Sequence, residues 1–197
     1  MGVYIPTYFS FIHQYELLLK DEHIQFEKQD NYQKQSYRNR CFITGPNGKQ
    51  LLNIPVKTDS SKGKQQTKDI KVENNVTWQK EHFRALQVTY RSSPFFDLLE
   101  ADLAPIFERK YEYLYDLNMD TFHFVMDTLE IEKSFEFTED YQIDIAQDYR
   151  PLAQKKFTPP TSNKKYIQLF DDRNGFLENL SILDLLFMEG PSTTLYL

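Results

Sequence analysis

Between Asp30 and Cys41 the chain reads Asp30-Asn31-Tyr32-Gln33-Lys34-Gln35-Ser36-Tyr37-Arg38-Asn39-Arg40-Cys41. Three cations, several amides and two phenols stand together in a stretch almost free of aliphatic side chains, just ahead of an apolar run. An arginine fork takes a phosphate or carboxylate through paired N–H groups. Amides read polar edges, and a tyrosine offers both a stacking face and a hydroxyl. The set suits a polar anionic ligand such as a sugar phosphate or a nucleotide-sugar. Tyr37, Arg38, Asn39 and Arg40 are the principal contacts expected, with Tyr32, Lys34 and Asp30 behind them. The competing reading is that the arginines pair with carboxylates of the protein itself.

His82 is the catalytic candidate. It lies one helical turn after Trp78, and a neutral imidazole near pH 7 can act as a general base. Trp78 would then pack against a sugar ring. The competing reading is a helix histidine packed beside Trp78 and hydrogen-bonded to backbone. Cys41 follows Arg40, which favours a thiolate. It also opens the apolar run Cys41-Phe42-Ile43, and free cysteines are among the most buried residues, so it reads as core. The acidic pairs Glu100 with Asp102, Glu139 with Asp140 and Asp171 with Asp172 show no ligand spacing and read as solvated faces. One cysteine and four scattered histidines give no metal-site pattern. No GxGxxG and no GxxxxGK[ST] is present. Neither a metal nor a cofactor is expected.

These residues need a scaffold. His23–Lys28 alternates Ile24 and Phe26 with polar residues, the period of a half-buried strand. Cys41–Thr44 and Leu51–Val56 flank Gly45-Pro46-Asn47-Gly48, a hairpin signal. Asp69–Glu73 adds another strand through Ile70 and Val72. Thr77 predicts the cap of a helix from Trp78 to about Tyr90. Ser93-Pro94 restarts a helix. Asp102 is expected to cap a further one with Pro105 in its first turn, burying Leu103, Phe107, Tyr111 and Leu114. Asp116 or Asn118 would open the next, which buries Phe122, Val125, Met126 and Leu129. Ser134–Thr138 and Tyr166–Phe170 read as strands. Ser181 with Asp184 resembles a capping box for a helix over 182–188, ended by Gly190 and Pro191. Thr58–Thr67 reads as a mobile polar loop, and Thr158–Lys165 as a loop stiffened by Pro159 and Pro160. Strands and helices in separate blocks predict a single α+β domain over residues 1–197. Its mixed sheet would come from the N-terminal half and residues 134–170, with a helical layer from 77–131.

The 197 residues are 40% hydrophobic, enough for a substantial core. The formal charge of −6 is unevenly spread. Residues 1–91 hold 14 basic and 9 acidic side chains, a net of +5; residues 92–197 hold 9 and 20, a net of −11. The basic half fits anion handling. A pI near 5.3 argues against nucleic acid as partner. No apolar stretch approaches the roughly 20 residues of a membrane span. The amino end lacks the basic region and cleavage site of a secretory signal, so a cytoplasmic location is expected.

The string from Tyr32 to Cys41 resembles the WbqC-like family of bacterial proteins, a largely uncharacterised group. Supporting segments follow in order: Gly45–Gly48 with Leu52-Asn53-Ile54-Pro55-Val56, then Trp78–His82 with Tyr90-Arg91-Ser92-Ser93-Pro94-Phe95-Phe96. Leu114–Asn118, Gly175-Phe176 and Asn179–Phe187 complete the likeness, which covers nearly the whole chain. Tyr4–Phe9 resembles the family's proline-containing aromatic segment, and the strand before it is expected to be incomplete. Name-giving members occur among genes for surface polysaccharide synthesis, and acyl or aminoacyl transfer to amino sugars has been suggested for them. The resemblance therefore implies a transferase for an anionic sugar or nucleotide-sugar ligand. The alternative is a non-catalytic protein that docks a biosynthetic enzyme. An enzyme should bring Arg38, Arg40, Trp78 and His82 to one open pocket; a scaffold should leave the arginines saturated by internal carboxylates.

Overall fold

In chain order the elements are β1 (Gly2–Tyr4), α1 (Ile12–Lys20), β2 (Ile24–Phe26), β3 (Arg40–Gly45), β4 (Gly48–Asn53), β5 (Val56–Lys57) and β6 (Lys71–Val72). The helices α2 (Trp78–Tyr90), α3 (Phe96–Glu108) and α4 (Leu114–Thr128) follow, then β7 (Phe135–Phe137), α5 (Asp171–Asn174) and α6 (Ile182–Glu189). This is an α+β fold, seen in a computed structural model that describes residues 1–59, 61, 63–158 and 164–197. Ser60 and Lys62 of the first polar loop, and residues 159–163 of the second with Pro159 and Pro160, lie outside the described residues.

Among the described residues the strands form three small sheets rather than one mixed sheet. β1, β2 and β7 pair in parallel, with Gly2 opposite Ile24 and Ile24 opposite Phe135. A parallel pair needs a crossover between its strands. For β1 and β2 that crossover is α1, which the sequence reading missed. Its buried Ile12, Tyr15 and Leu18 share a helical face, but its N-cap is Phe11, with no side-chain cap. β3 and β4 form the expected antiparallel hairpin, with Gly48 at φ +105°, where a side chain would be strained. β5 and β6 form a short antiparallel pair.

The connection from Ile5 to Phe11 is buried throughout, so its backbone groups need partners inside the protein. Asn118 Nδ2 donates to Pro6 O at 3.0 Å, Gln14 Nε2 donates to Ile5 O at 3.2 Å, and Tyr8 N donates to Tyr37 O at 3.3 Å. The residues around Arg38 are thereby tied directly to the core.

The helical layer starts at Trp78 as expected, and its buried line runs Trp78, His82, Leu86, Thr89 and Tyr90. Two boundaries differ from the sequence reading. α3 runs unbroken through Asp102 and carries Pro105 in its interior, near the C-terminal end. α4 opens at Leu114, not at Asp116 or Asn118, because Leu114 N donates to Ile70 O at 2.9 Å and anchors the helix on β6's neighbour. Tyr166–Phe170 is not a strand. Gln168 supplies the pairing instead: its Oε1 accepts from Leu177 N at 2.8 Å and its Nε2 donates to Leu177 O at 2.9 Å.

Ser181 caps α6, accepting from Leu183 N at 3.3 Å while its hydroxyl donates to Phe9 O at 2.7 Å. Asp184 is not its capping-box partner. It is buried, and its two oxygens accept from Tyr90 at 2.5 Å and Tyr166 at 2.6 Å. Ser181→Ala should destabilise the protein by about 1–2 kcal/mol, read as a shift in urea midpoint with unchanged slope.

Candidate functional site

A single 3-10 turn, Tyr37–Asn39, carries Arg38 into the interior, where its residue exposure is 1%. Its Nε and Nη2 both donate to Asp30 Oδ2, at 3.0 and 2.7 Å. Nη1 donates to Ser36 Oγ at 3.3 Å and to Ala153 O at 3.2 Å. The guanidinium is thus consumed by the protein, and joins the Asp30–Arg38 loop to the turn Arg150–Ala153.

Asp30 is held on one side only. Its Oδ1 is buried and has no hydrogen-bond partner among the described residues. Asp30, Tyr32 and Arg38 line a cavity of about 550 Å³, closed on the other sides by Lys64, Gln66, Tyr141, Arg150 and Gln154. Arg150 is neutralised too. It donates to Asp148 at 2.8 and 2.9 Å and to the fully buried Glu27 at 3.0 Å, and the Tyr141 ring lies 4.3 Å from its guanidinium carbon. Glu27 also accepts from Thr138 at 2.7 Å. The cavity therefore offers fixed, paired charges, side-chain amides and two phenol rings, with the unpartnered Asp30 Oδ1 buried behind its wall. Those features suit hydroxyl or amine donors.

Arg40 does not line this cavity but acts electrostatically on Tyr32, which does, and it has no carboxylate partner among the described residues. It is half-buried, its Nε donates to no acceptor among the described residues, and burial lowers its pKa. Burial pushes the Tyr32 phenol up to about 12, against the opposing pull of both Arg38 and Arg40. Tyr37 is raised by burial against Arg40 alone. Tyr32 thus stands in the field of both arginines.

The remaining predicted residues are placed apart from the cavity. Lys34 is exposed on the loop. Asn39 is buried, its Nδ2 donating to Ile54 O at 2.9 Å and to Asn53 Oδ1 at 3.3 Å across the hairpin. Trp78 and His82 are 3% and 6% exposed, and line a buried layer with Tyr8 rather than the cavity. His82 Nδ1 is 3.0 Å from the Tyr8 hydroxyl. Burial lowers the imidazole pKa to about 4, partly offset by a backbone hydrogen bond to Asn53. His82 is neutral at pH 7, as a base must be, but its nitrogens are engaged by the protein. Cys41 is buried and burial pushes its thiol well up, so it is held protonated. Among the described residues no three His, Cys, Asp or Glu side chains converge as a metal site.

The model of the WbqC-like protein family matches residues 5–155. The chain belongs to the WbqC-like family. The matched span includes every residue that lines the cavity, from Ile5 to Gln154. A relative is the uncharacterized protein Rv1507c of Mycobacterium tuberculosis, 26% identical over 207 residues that cover 90% of this chain and 87% of that protein. No solved structure gives a significant match. Among the described residues of this WbqC-like chain, no helix is long and apolar enough to cross a membrane.

Sequence reasoning singled out Asp30, Tyr32 and Arg38 from their local density. It missed Glu27, Tyr141, Asp148 and Arg150, although Arg150 and Glu27 make the second buried ion pair of the site. They lie 123 positions apart in the chain, and no local pattern links them.

Proposed function

We propose that the protein binds an anionic sugar, as a sugar phosphate or nucleotide-sugar, in the service of bacterial surface-polysaccharide synthesis. The observation that carries this reading is a 550 Å³ polar cavity lined by Asp30, whose buried Oδ1 has no partner among the described residues. A buried acceptor without a donor is unfavourable by about 1–3 kcal/mol, and a sugar hydroxyl or amine relieves that once a small shift of the Asp30 carboxylate brings Oδ1 to the cavity. The cavity takes the sugar, with Tyr32 and Tyr141 as flanking rings. The anion lies outside it, on Arg40 and the exposed Lys64. Tyr37 supports Arg40, and Arg38 acts by fixing Asp30 rather than by touching the ligand. The family resemblance suggests transfer of an acyl or aminoacyl group to an amino sugar as the reaction, at the cavity mouth, in the cytoplasm.

A second reading is a non-catalytic sugar-binding or scaffold protein. The observation that favours it is the saturation of Arg38 by Asp30, together with the burial of His82 away from the cavity. Calorimetric titration of nucleotide-sugars and sugar phosphates tests the shared core of both readings. Arg40→Ala should weaken the bound ligand by at least tenfold, about 1.4 kcal/mol, while leaving the unfolding midpoint close to that of wild type. Equal affinity in the two proteins would remove Arg40 from the site. Incubation of the liganded protein with labelled acyl and aminoacyl donors separates the readings: label on the sugar supports the transferase.

A further inference from the structure

A larger cavity lies elsewhere, about 760 Å³ between α3 and α4. Leu98, Asp102 and Pro105 of α3, and Arg109 just past its end, recur at helical spacing along one wall. On the other wall stand Phe124 and Asp127, followed by Glu130 just past the end of α4. The floor is apolar, through Leu99, Ile106 and Phe124, and Leu98 projects at the rim with 68% of its surface exposed. Carboxylates occupy both rims, Asp102 on one side and Asp127 and Glu130 on the other. None of these three has an ion-pair partner among the described residues. The cationic Arg109 in the lining is already engaged, 2.7 Å from Asp120 and with its guanidinium 4.9 Å from the centre of the Tyr111 ring. The negative field of the groove is therefore uncompensated, in the half of the chain that carries −11.

The geometry points to a docking site for a basic amphipathic helix of a partner protein. Leu98 to Arg109 is twelve residues, eleven helical steps or roughly 17 Å, which matches about three turns of an incoming helix. Both walls are helices whose backbone groups are internally bonded, so an extended peptide would find no ladder to join, whereas a helix needs only side-chain contact. Apolar residues on its inner face would meet the floor. Lysines or arginines on its flanks would reach the two acidic rims. The adjoining cavity, which shares Arg109, Asp120 and His123 with the groove, is different: it is lined by Lys28 and Lys68 as well as acids, and offers no such one-sided field. The groove shares no lining residue with the cavity at Asp30, so the two sites are separable.

Two synthetic 14-residue helices test this, both with leucine along one face and with either lysine or glutamate elsewhere. Fluorescence anisotropy should show the lysine peptide binding at least tenfold tighter than the glutamate peptide, with affinity falling as salt rises. Hydrogen exchange should show protection in α3 and α4. Asp102→Lys combined with Asp127→Lys should weaken binding at least tenfold, whereas Glu139→Lys combined with Asp140→Lys, an equal charge reversal elsewhere, should not. Circular dichroism checks that both variants fold. Absence of binding, equal loss in both variants, or protection outside α3 and α4 would overturn the proposal. So would sedimentation showing that the groove variant dissolves a dimer the lysine peptide cannot displace, since the occupant would then be a second copy of the chain.

Discussion

Replacing Arg38 by alanine is expected to lower the unfolding free energy by about 3–5 kcal/mol, the range for removing one partner of a buried ion pair. Asp30 is only 4% exposed, so its carboxylate would stay buried with neither oxygen partnered. The lost guanidinium also releases Ser36 Oγ and Ala153 O, which it holds at 3.3 and 3.2 Å. Arg38→Lys should recover part of the loss, because an ammonium can meet Asp30 but cannot also span to Ala153. Urea unfolding at pH 7 reads the series. A surface arginine facing solvent would shift stability by only about 0.5 kcal/mol or less. A shift that small would contradict the interior role assigned to Arg38.

The second large effect concerns pH. The imidazole of His82 falls from its ordinary 6.5 to about 4 in the folded protein because burial penalises the charged form. Below pH 6.5 the unfolded chain takes up a proton that the folded chain refuses, so stability falls as pH drops. The contribution is complete above pH 6.5 and is lost progressively down to about pH 4. At pH 4.5 the loss attributable to this one group is about 2–3 kcal/mol. His82→Gln removes the titration while keeping polar atoms to meet Tyr8. The variant should be less stable than wild type at pH 7 and should lose about 2–3 kcal/mol less on acidification to pH 4.5. Parallel losses in the two proteins would mean that His82 titrates normally and is accessible, as a catalytic base would be.

Much of the local structure was legible because local chemistry decides it. Asn47-Gly48 sets the β3–β4 turn, and the spacing of Trp78, His82 and Leu86 sets the buried line of α2. α1 escaped notice because nothing polar caps it; the packing of Ile12, Tyr15 and Leu18 forms it instead. Pro105 reads as a helix start, yet it sits inside α3, whose burial of Leu103, Ile106 and Phe107 outweighs one missing hydrogen bond. At the site, Asp30 and Arg38 are eight residues apart and visible together. Depth was not visible. Whether His82 faces a ligand or the core depends on Tyr8, 74 residues away, and whether Arg38 is free depends on Ala153, 115 residues away. The division of charge has a similar resolution. Arg38 pairs within the basic half, Arg150 reaches back across the chain to Glu27, and Arg40 alone of the two motif arginines has no carboxylate partner among the described residues.

The central claim is that the cavity beside Asp30 receives a sugar. Its most direct test is to fill that cavity without touching the ion pairs around it. Gln154 lines the cavity from an exposed position, so Gln154→Trp adds bulk there while Asp30, Arg38 and Arg150 keep their partners. Ligand-detected NMR with a panel of sugar phosphates and nucleotide-sugars should give saturation transfer to the sugar protons of at least one compound with wild type. The same compound should lose at least tenfold in affinity with Gln154→Trp at unchanged unfolding midpoint. Undiminished binding in the filled variant, or a panel in which no sugar binds wild type, would contradict the account.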